Sequence, residues 1–130
     1  MNRLFRAALP GSFRFPLRGN GNQRREFTFV EDIVDATVRA GYTLKSPSLE
    51  AFDIGGGVSA SLAEVMALVE QITEASIRVD QYPVADGDPL ITVASTEQAS
   101  KLLGWKANTS LQDGLQQHYE SFSELLTTTS

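Results

Sequence analysis

Residues 19–32 read GNGNQRREFTFVED, and this stretch says more about the fold than any other part of the chain. Its glycines let the backbone adopt positive φ and approach a ligand closely. Arg25 presents a planar fork of donors that matches a diphosphate, and a helix starting near Thr28 would add the free N–H groups of its first turn. The residues alone leave two interpretations open: a phosphate-binding loop, or a turn in which Arg25 pairs with Glu26, Glu31 or Asp32.

The length and composition indicate one folded domain over residues 1–130. The apolar fraction of 42% is ordinary for a globular protein. No apolar run approaches the ~20 residues that a membrane helix needs, and no signal-peptide pattern is present. We therefore predict a cytoplasmic protein with no membrane partner. The absence of cysteine excludes disulfides, thiolate catalysis and cysteine-ligated metal.

The net charge of −5 conceals an uneven distribution of charge. Residues 1–25 hold six arginines and no acid, whereas residues 26–130 hold five basic residues against sixteen acids. An acidic chain argues against nucleic acid as the partner. A local arginine cluster fits a small phosphorylated ligand, although a solvated basic face would have the same composition.

Apolar spacing and capping residues predict about five helices and a few short strands, an α/β (α+β) fold. The predicted helices cover residues 2–9, run from Thr28 to about Ala40, and begin at Ser61, Ser95 and Ser110. The predicted strands lie at residues 13–17, 51–54 and 77–80.

The second predicted helix carries a continuous apolar face. That face consists of Val30, Ile33, Val34, Thr37 and Val38. Gly41 follows the last apolar position and is expected to end the helix.

Six further segments, together with residues 19–32, resemble the NAD-dependent epimerase/dehydratase family, the extended short-chain dehydrogenases that act on nucleotide sugars. The stretch 19–32 matches the family pattern G-x-G-x-Q-x-R-[DE]-[FW]-x-[FY]-V-x-D. The other matches, in the family's order, are residues 4–9, 52–57, 61–65, 87–88, 102–105 and 110–115. Each segment alone is a weak signal, and their shared order and separations make the resemblance specific.

The resemblance implies the C-terminal, substrate-binding part of that fold. In the family the stretch 19–32 lies in this part, and only eighteen residues precede it here. The Rossmann half, which binds NAD and carries the catalytic residues, would lie upstream. The resemblance therefore predicts a substrate-side fragment that lacks the Rossmann half.

The resemblance also implies a nucleotide-sugar site, with a UDP- or TDP-sugar as the ligand. The family arginine at the Arg25 position contacts the diphosphate, and we expect help from Asn22, Gln23 and Arg24. Arg18 stands where the family has an aromatic residue beside the base, and Arg18 or Arg14 could compensate for a missing second arginine.

Two more positions depart from the family pattern. Leu90 replaces the arginine that usually closes the diphosphate site from its second side, and Ser95 replaces the usual aspartate. Losing one charge-assisted contact would weaken phosphate binding about 10- to 150-fold.

The residues that the family uses for chemistry are absent from the sequence. No tyrosine is followed four residues later by a lysine, and no glycine-rich dinucleotide loop opens a βαβ unit. His118 is expected on the flank of the last helix, Trp105 in the core, and Asp86 with Asp88 in a solvated loop. We predict no catalytic residue, no metal and no bound cofactor, NAD being the cofactor of the complete family.

The missing half predicts an exposed apolar surface and therefore association with a partner. We expect a homodimer, or binding of a separate N-terminal half. The interface is expected to include residues 51–57 or the opening helix at Leu4, Phe5 and Ala8. The alternative to a nucleotide-sugar-binding domain is a non-enzymatic interaction module or a vestigial product that self-associates.

Overall fold

The computed structural model describes residues 1–43, 51–57, 59–84, 87, 89 and 91–128. Within them the chain forms five helices and five short strands, which confirms the predicted fold class. The helices are α1 (Asn2–Ala8), α2 (Val30–Thr43), α3 (Leu62–Thr73), α4 (Glu97–Leu103) and α5 (Leu111–Thr128). The strands are β1 (Phe15–Arg18), β2 (Arg24–Glu26), β3 (Ser59–Ser61), β4 (Val79–Tyr82) and β5 (Ile91–Thr92). None of the described helices combines the length and the apolar character that crossing a membrane requires.

The strands form two small sheets. β1 and β4 pair in parallel, with Phe15 opposite Val79 and Arg18 opposite Tyr82. In the second sheet β2 lies between β3, to which it is antiparallel, and β5, to which it is parallel. The strands predicted near residues 13–17 and 77–80 are confirmed, with their bounds moved toward the C-terminus.

The sequence does not predict β2, β3 and β5, because strands of two or three mostly polar residues show no apolar alternation. The strand predicted at residues 51–54 is wrong, since this segment joins neither sheet among the described residues. Its apolar side chains, Phe52 and Ile54, instead pack against a cluster that contains Trp105.

The larger core lies between α1, α3 and α5. Phe5, Val65 and Val69 are completely buried at its centre, and the Phe5 ring stacks on that of Phe122 with 5.7 Å between centroids. The apolar face of α1 is buried in this core. The prediction that Leu4, Phe5 and Ala8 contribute to a dimer interface is therefore wrong, because they are buried inside their own chain.

The smaller core is built around Trp105, which is 1% exposed, as predicted for a core residue. Its indole Nε1 donates to the backbone oxygen of Asp32 at 3.0 Å. The buried Asp32 carboxylate accepts the backbone N–H groups of Asn108 (3.0 Å) and Thr109 (3.2 Å). Gly104 ends α4 in the left-handed conformation, as predicted. Asp32 thus ties the start of α2 to the segment between α4 and α5.

The apolar face of α2 lies outside both cores. Its apolar face is exposed, with Val30 62%, Val34 55% and Val38 49% accessible, and the residues that it buries are Asp32 and Ala36. The helix also continues through Gly41 to Thr43. A small alanine on the opposite side lets α2 approach α4 and Trp105, so local apolar spacing did not identify the buried side.

Two predicted helix caps are confirmed and two are displaced. Glu64 N donates to Ser61 Oγ (3.1 Å) and Ser61 N to Glu64 Oε2 (2.7 Å), the reciprocal bonds of a capping box. Asp113 N donates to Ser110 Oγ at 3.1 Å. By contrast, α2 begins at Val30 rather than directly after Thr28, and α4 begins after Thr96 rather than after Ser95.

Candidate functional site

The loop at residues 19–23 needs glycine for a steric reason. Gly19 has a φ of +65°, and a Cβ there would lie 2.8 Å from Cγ2 of Val84 and 2.9 Å from Nε2 of Gln23. A side chain at this position would be strained and would also push Gln23 away. The glycine therefore leaves room for the Gln23 side chain to pack against the loop.

A cleft of about 440 Å³ opens beside this loop, between the first helix, β1, β2 and β3. Its described lining includes no acidic residue, although the chain as a whole is acidic. Four of the lining residues are cationic or polar, Arg3, Arg18, Gln23 and Arg25, and five are apolar, Phe15, Pro16, Phe27, Ala60 and Leu62.

Arg25 occupies the middle of β2, opposite Ala60 on one side and Thr92 on the other. Its Nη1 donates to the backbone oxygens of Arg24 (2.9 Å) and Pro89 (2.8 Å). A guanidinium held in this way is oriented before a ligand arrives, which lowers the entropic cost of binding.

Glu26 and Asp32, two of the predicted partners of Arg25, accept hydrogen bonds from backbone amides. Glu26 accepts the N–H groups of Gly57 and Ala94, both at 2.6 Å. Asp32 accepts those of Asn108 and Thr109. Both acids therefore serve to hold separate segments of the chain together.

Arg18 and Arg3 complete the positive side of the cleft. Arg18 ends β1, and the Arg3 guanidinium lies over the Phe15 ring, 6.0 Å from its centroid. In the part of the chain that the structure describes, neither side chain takes part in a hydrogen bond or an ion pair. Arg3 was not among the predicted site residues, because its only signal in the sequence was membership of the basic N-terminal segment.

Two of the residues proposed for the site point elsewhere. Arg24 bonds the backbone oxygen of Ser59 at 2.5 Å and pairs with Glu64 at 3.0 Å. The Ser61 N–H and then Arg24 lower the pKa of Glu64 below its ordinary value. Asn22 is exposed, and its N–H donates to Asn20 Oδ1 at 3.1 Å. The structure thus brings Arg18, Gln23 and Arg25 together, and leaves Asn22 and Arg24 outside the cleft lining.

The other positions of interest lie apart from the cleft. Arg14 pairs with Asp80 and donates to the Val79 oxygen at 2.6 Å. Ser95 lines a separate depression beside α4. Leu90, Asp86 and Asp88 lie outside the described residues. Among the residues that are described, no group of three potential metal ligands comes together.

His118 lies on the flank of α5, as predicted. Its Nε2 is 2.6 Å from Asn2 Oδ1, and its ring packs against Phe5. Partial burial, and then the positive charge of the chain's amino terminus, lower the pKa of His118 below its ordinary value. The lowered pKa favours the neutral ring in the folded state, which suits a packing role.

Comparison with known proteins places these features in a family. The sequence model of the NAD dependent epimerase/dehydratase family matches residues 1–55. CDP-paratose 2-epimerase from Salmonella typhi is 29% identical over 113 residues, which are 85% of this chain and 33% of that protein. GDP-L-fucose synthase 1 from Arabidopsis thaliana is 34% identical over 123 residues, 92% of this chain and 36% of that protein.

The fold agrees with the sequence comparison. UDP-glucuronic acid 4-epimerase from Bacillus cereus, solved with UDP-glucuronic acid and NAD, superimposes with a TM-score of 0.85 and 32% identity over 95% of this chain and 39% of that one. The chain thus spans about a third of the length of the curated relatives that it matches. Motif order, fold and sequence identity agree, and the chain belongs to the NAD-dependent epimerase/dehydratase family.

Proposed function

We propose that this chain binds a nucleoside diphosphate sugar in the arginine-lined cleft and has no catalytic activity on its own. The observation that carries the proposal is the convergence of Arg3, Arg18 and Arg25 on one cleft whose described lining lacks an acid. Guanidinium groups bind phosphate oxygens by charge-assisted, often bidentate hydrogen bonds. The cleft volume falls within the ~300–1,000 Å³ typical of small-molecule sites.

The rest of the lining suits the remaining parts of such a ligand. The apolar surfaces of Phe15 and Phe27 can cover a base or a sugar ring, and the Gln23 amide can bond hydroxyl or carbonyl groups. A relative was solved with a UDP-sugar, and others are named for CDP- and GDP-linked sugars. A UDP- or TDP-sugar remains the proposed ligand.

We propose that this chain does not bind NAD by itself. The glycine run at residues 55–57 leads to β3 and packs against Glu26 and Phe27, so its amides do not open a helix toward a dinucleotide.

Calorimetric titration with UDP-glucose tests the proposed ligand. We expect saturable binding that Arg25→Gln weakens about 10- to 150-fold, the value of one charged hydrogen-bonding group. Arg14→Gln is the matched control, because Arg14 pairs with Asp80 outside the cleft and its loss should leave affinity unchanged. Added salt should weaken binding by the wild-type chain, since exposed arginine–phosphate contacts are screened.

Two results would count against this proposal. One is an affinity that neither salt nor Arg25→Gln changes, which would place the ligand elsewhere. The other is turnover of UDP-glucose by this chain in the presence of NAD, which would mean that residues other than the family's catalytic pair perform the chemistry.

The exposed face of α2 supports a second function, association with another polypeptide. Val30, Val34 and Val38 recur at helical spacing along one side, next to Ile33 and Tyr42, of which Tyr42 is 87% accessible. Soluble chains seldom leave such a stripe uncovered. We propose that a second copy of this chain covers it in a symmetric homodimer. A polypeptide equivalent to the rest of the relatives' fold is the competing occupant.

Charging the centre of this stripe tests the dimer. We expect Val34→Glu to raise the dimer dissociation constant at least about tenfold, because a two-fold axis places the buried charge in the interface twice. Val93→Glu, at a similarly exposed valine outside α2, is the control. Sedimentation equilibrium at micromolar concentrations provides the readout. If the wild-type chain is a monomer, or if Val34→Glu leaves the dimer dissociation constant unchanged, the chain does not self-associate through α2.

A further inference from the structure

We propose that Arg3 is a ligand-binding residue that makes the cleft selective for diphosphates over monophosphates. The inference rests on the proposed nucleotide-sugar site and names a specificity residue within it. The family pattern assigns the second phosphate contact to the position of Leu90. Arg3 comes from the first helix and lines the same cleft as Arg25.

The arginines of the N-terminal segment differ in their partners. Arg14 pairs with Asp80, and Arg24 pairs with Glu64. Arg3 and Arg18 line the cleft and have no such partner in the described part of the chain. Cations that share one cleft without described acids repel each other, and a bound anion removes that repulsion.

Neighbouring side chains restrain the position of Arg3. The neighbouring side chains Leu4 and Phe5 are 3% and 0% exposed, so the helix that carries Arg3 is anchored in the core. The guanidinium lies over the Phe15 ring, a contact that restrains it without neutralising its charge. A restrained cation loses less side-chain entropy when it binds an anion.

Arg3 and Arg25 reach the cleft from different parts of the fold. Arg3 comes from α1 and rests on β1, whereas Arg25 comes from β2 and is held by the Pro89 carbonyl. A ligand with two phosphoryl groups offers a separate anion to each guanidinium. A monophosphate offers one, so it gains less from the presence of Arg3.

Titration with UDP and with UMP tests this inference. We expect the wild-type chain to bind UDP more tightly than UMP, and Arg3→Gln to weaken UDP binding by about tenfold or more. The same change should affect UMP less, so that the ratio of the two affinities falls. Arg6→Gln is the matched control, because Arg6 is an exposed residue of the same helix that lies outside the cleft lining. Thermal unfolding of each variant checks that the fold is intact.

The outcomes separate this inference from the proposed function. If UDP binding is lost in Arg25→Gln but the UDP-to-UMP ratio is unchanged in Arg3→Gln, the role of Arg3 is overturned and the cleft stands. If the wild-type chain binds neither nucleotide, both proposals are overturned. An equal loss in Arg3→Gln and Arg6→Gln would assign the effect to general charge and would also overturn the specific role of Arg3.

Discussion

Replacing Asp32 by alanine is expected to destabilise the fold by about 3–5 kcal/mol. The carboxylate is 6% exposed and is the acceptor for two backbone N–H groups, those of Asn108 and Thr109. Alanine would leave both donors unsatisfied next to the buried Trp105, and each lost bond to a charged group costs about 1.5–3 kcal/mol. Urea unfolding followed by the fluorescence of Trp105, the only tryptophan, measures the change in unfolding free energy.

Asp35→Ala is the matched control for this experiment. Asp35 lies one turn further along α2 and pairs with Arg39 at 2.9 Å, with both side chains more than two-fifths exposed. An exposed i,i+4 pair contributes less than about 1 kcal/mol. If the two alanine variants proved equally stable, Asp32 would not hold the segment between α4 and α5 in place.

Gly56→Ala is expected to cost about 2–3 kcal/mol of stability and to weaken ligand binding as well. A Cβ at position 56 would overlap the backbone oxygen of Phe27, which cannot move aside as a flexible side chain could. Because Phe27 lines the cleft, a displaced backbone there also changes the ligand site. Thermal unfolding and UDP titration of the same preparation would report the two effects.

Gly41→Ala provides the control with the opposite sign. A Cβ at Gly41 would meet no atom within 4 Å, and the residue lies inside α2. Alanine should therefore stabilise the chain by up to about 1 kcal/mol, the difference in helix propensity. A Gly56→Ala variant as stable as this one would show that the loop at residues 55–57 does not pack closely on Phe27.

Features that depend on near neighbours in the chain were predictable. The Ser61–Glu64 capping box joins residues three positions apart, and the glycine that ends α4 acts on its own turn. The family motifs around Arg25 predicted the membership that the fold and the relatives confirm. The role of Arg25 as a phosphate contact stays a prediction for the titrations above.

Features that depend on distant contacts were not predictable in the same way. The apolar stripe of α2 is real, but its spacing carries no information about what lies beside it, and Ala36 proved to be on the buried side. Likewise β2 became a strand only because Ser59–Ser61 and Ile91–Thr92 pair with it from far along the chain.

The sequence by itself determined the fold class, the family and a basic N-terminal segment of six arginines, because composition and short-range spacing are properties of the chain alone. Only the tertiary structure decided which of those arginines line the cleft and which form ion pairs outside it. Folding brings Asp80 to Arg14 and Glu64 to Arg24 across long stretches of chain, and it directs Arg3, Arg18 and Arg25 into one cleft. The physical reason is that an ion pair requires two charges within a few ångströms, and for residues far apart in sequence that distance exists only once the helices and strands have packed.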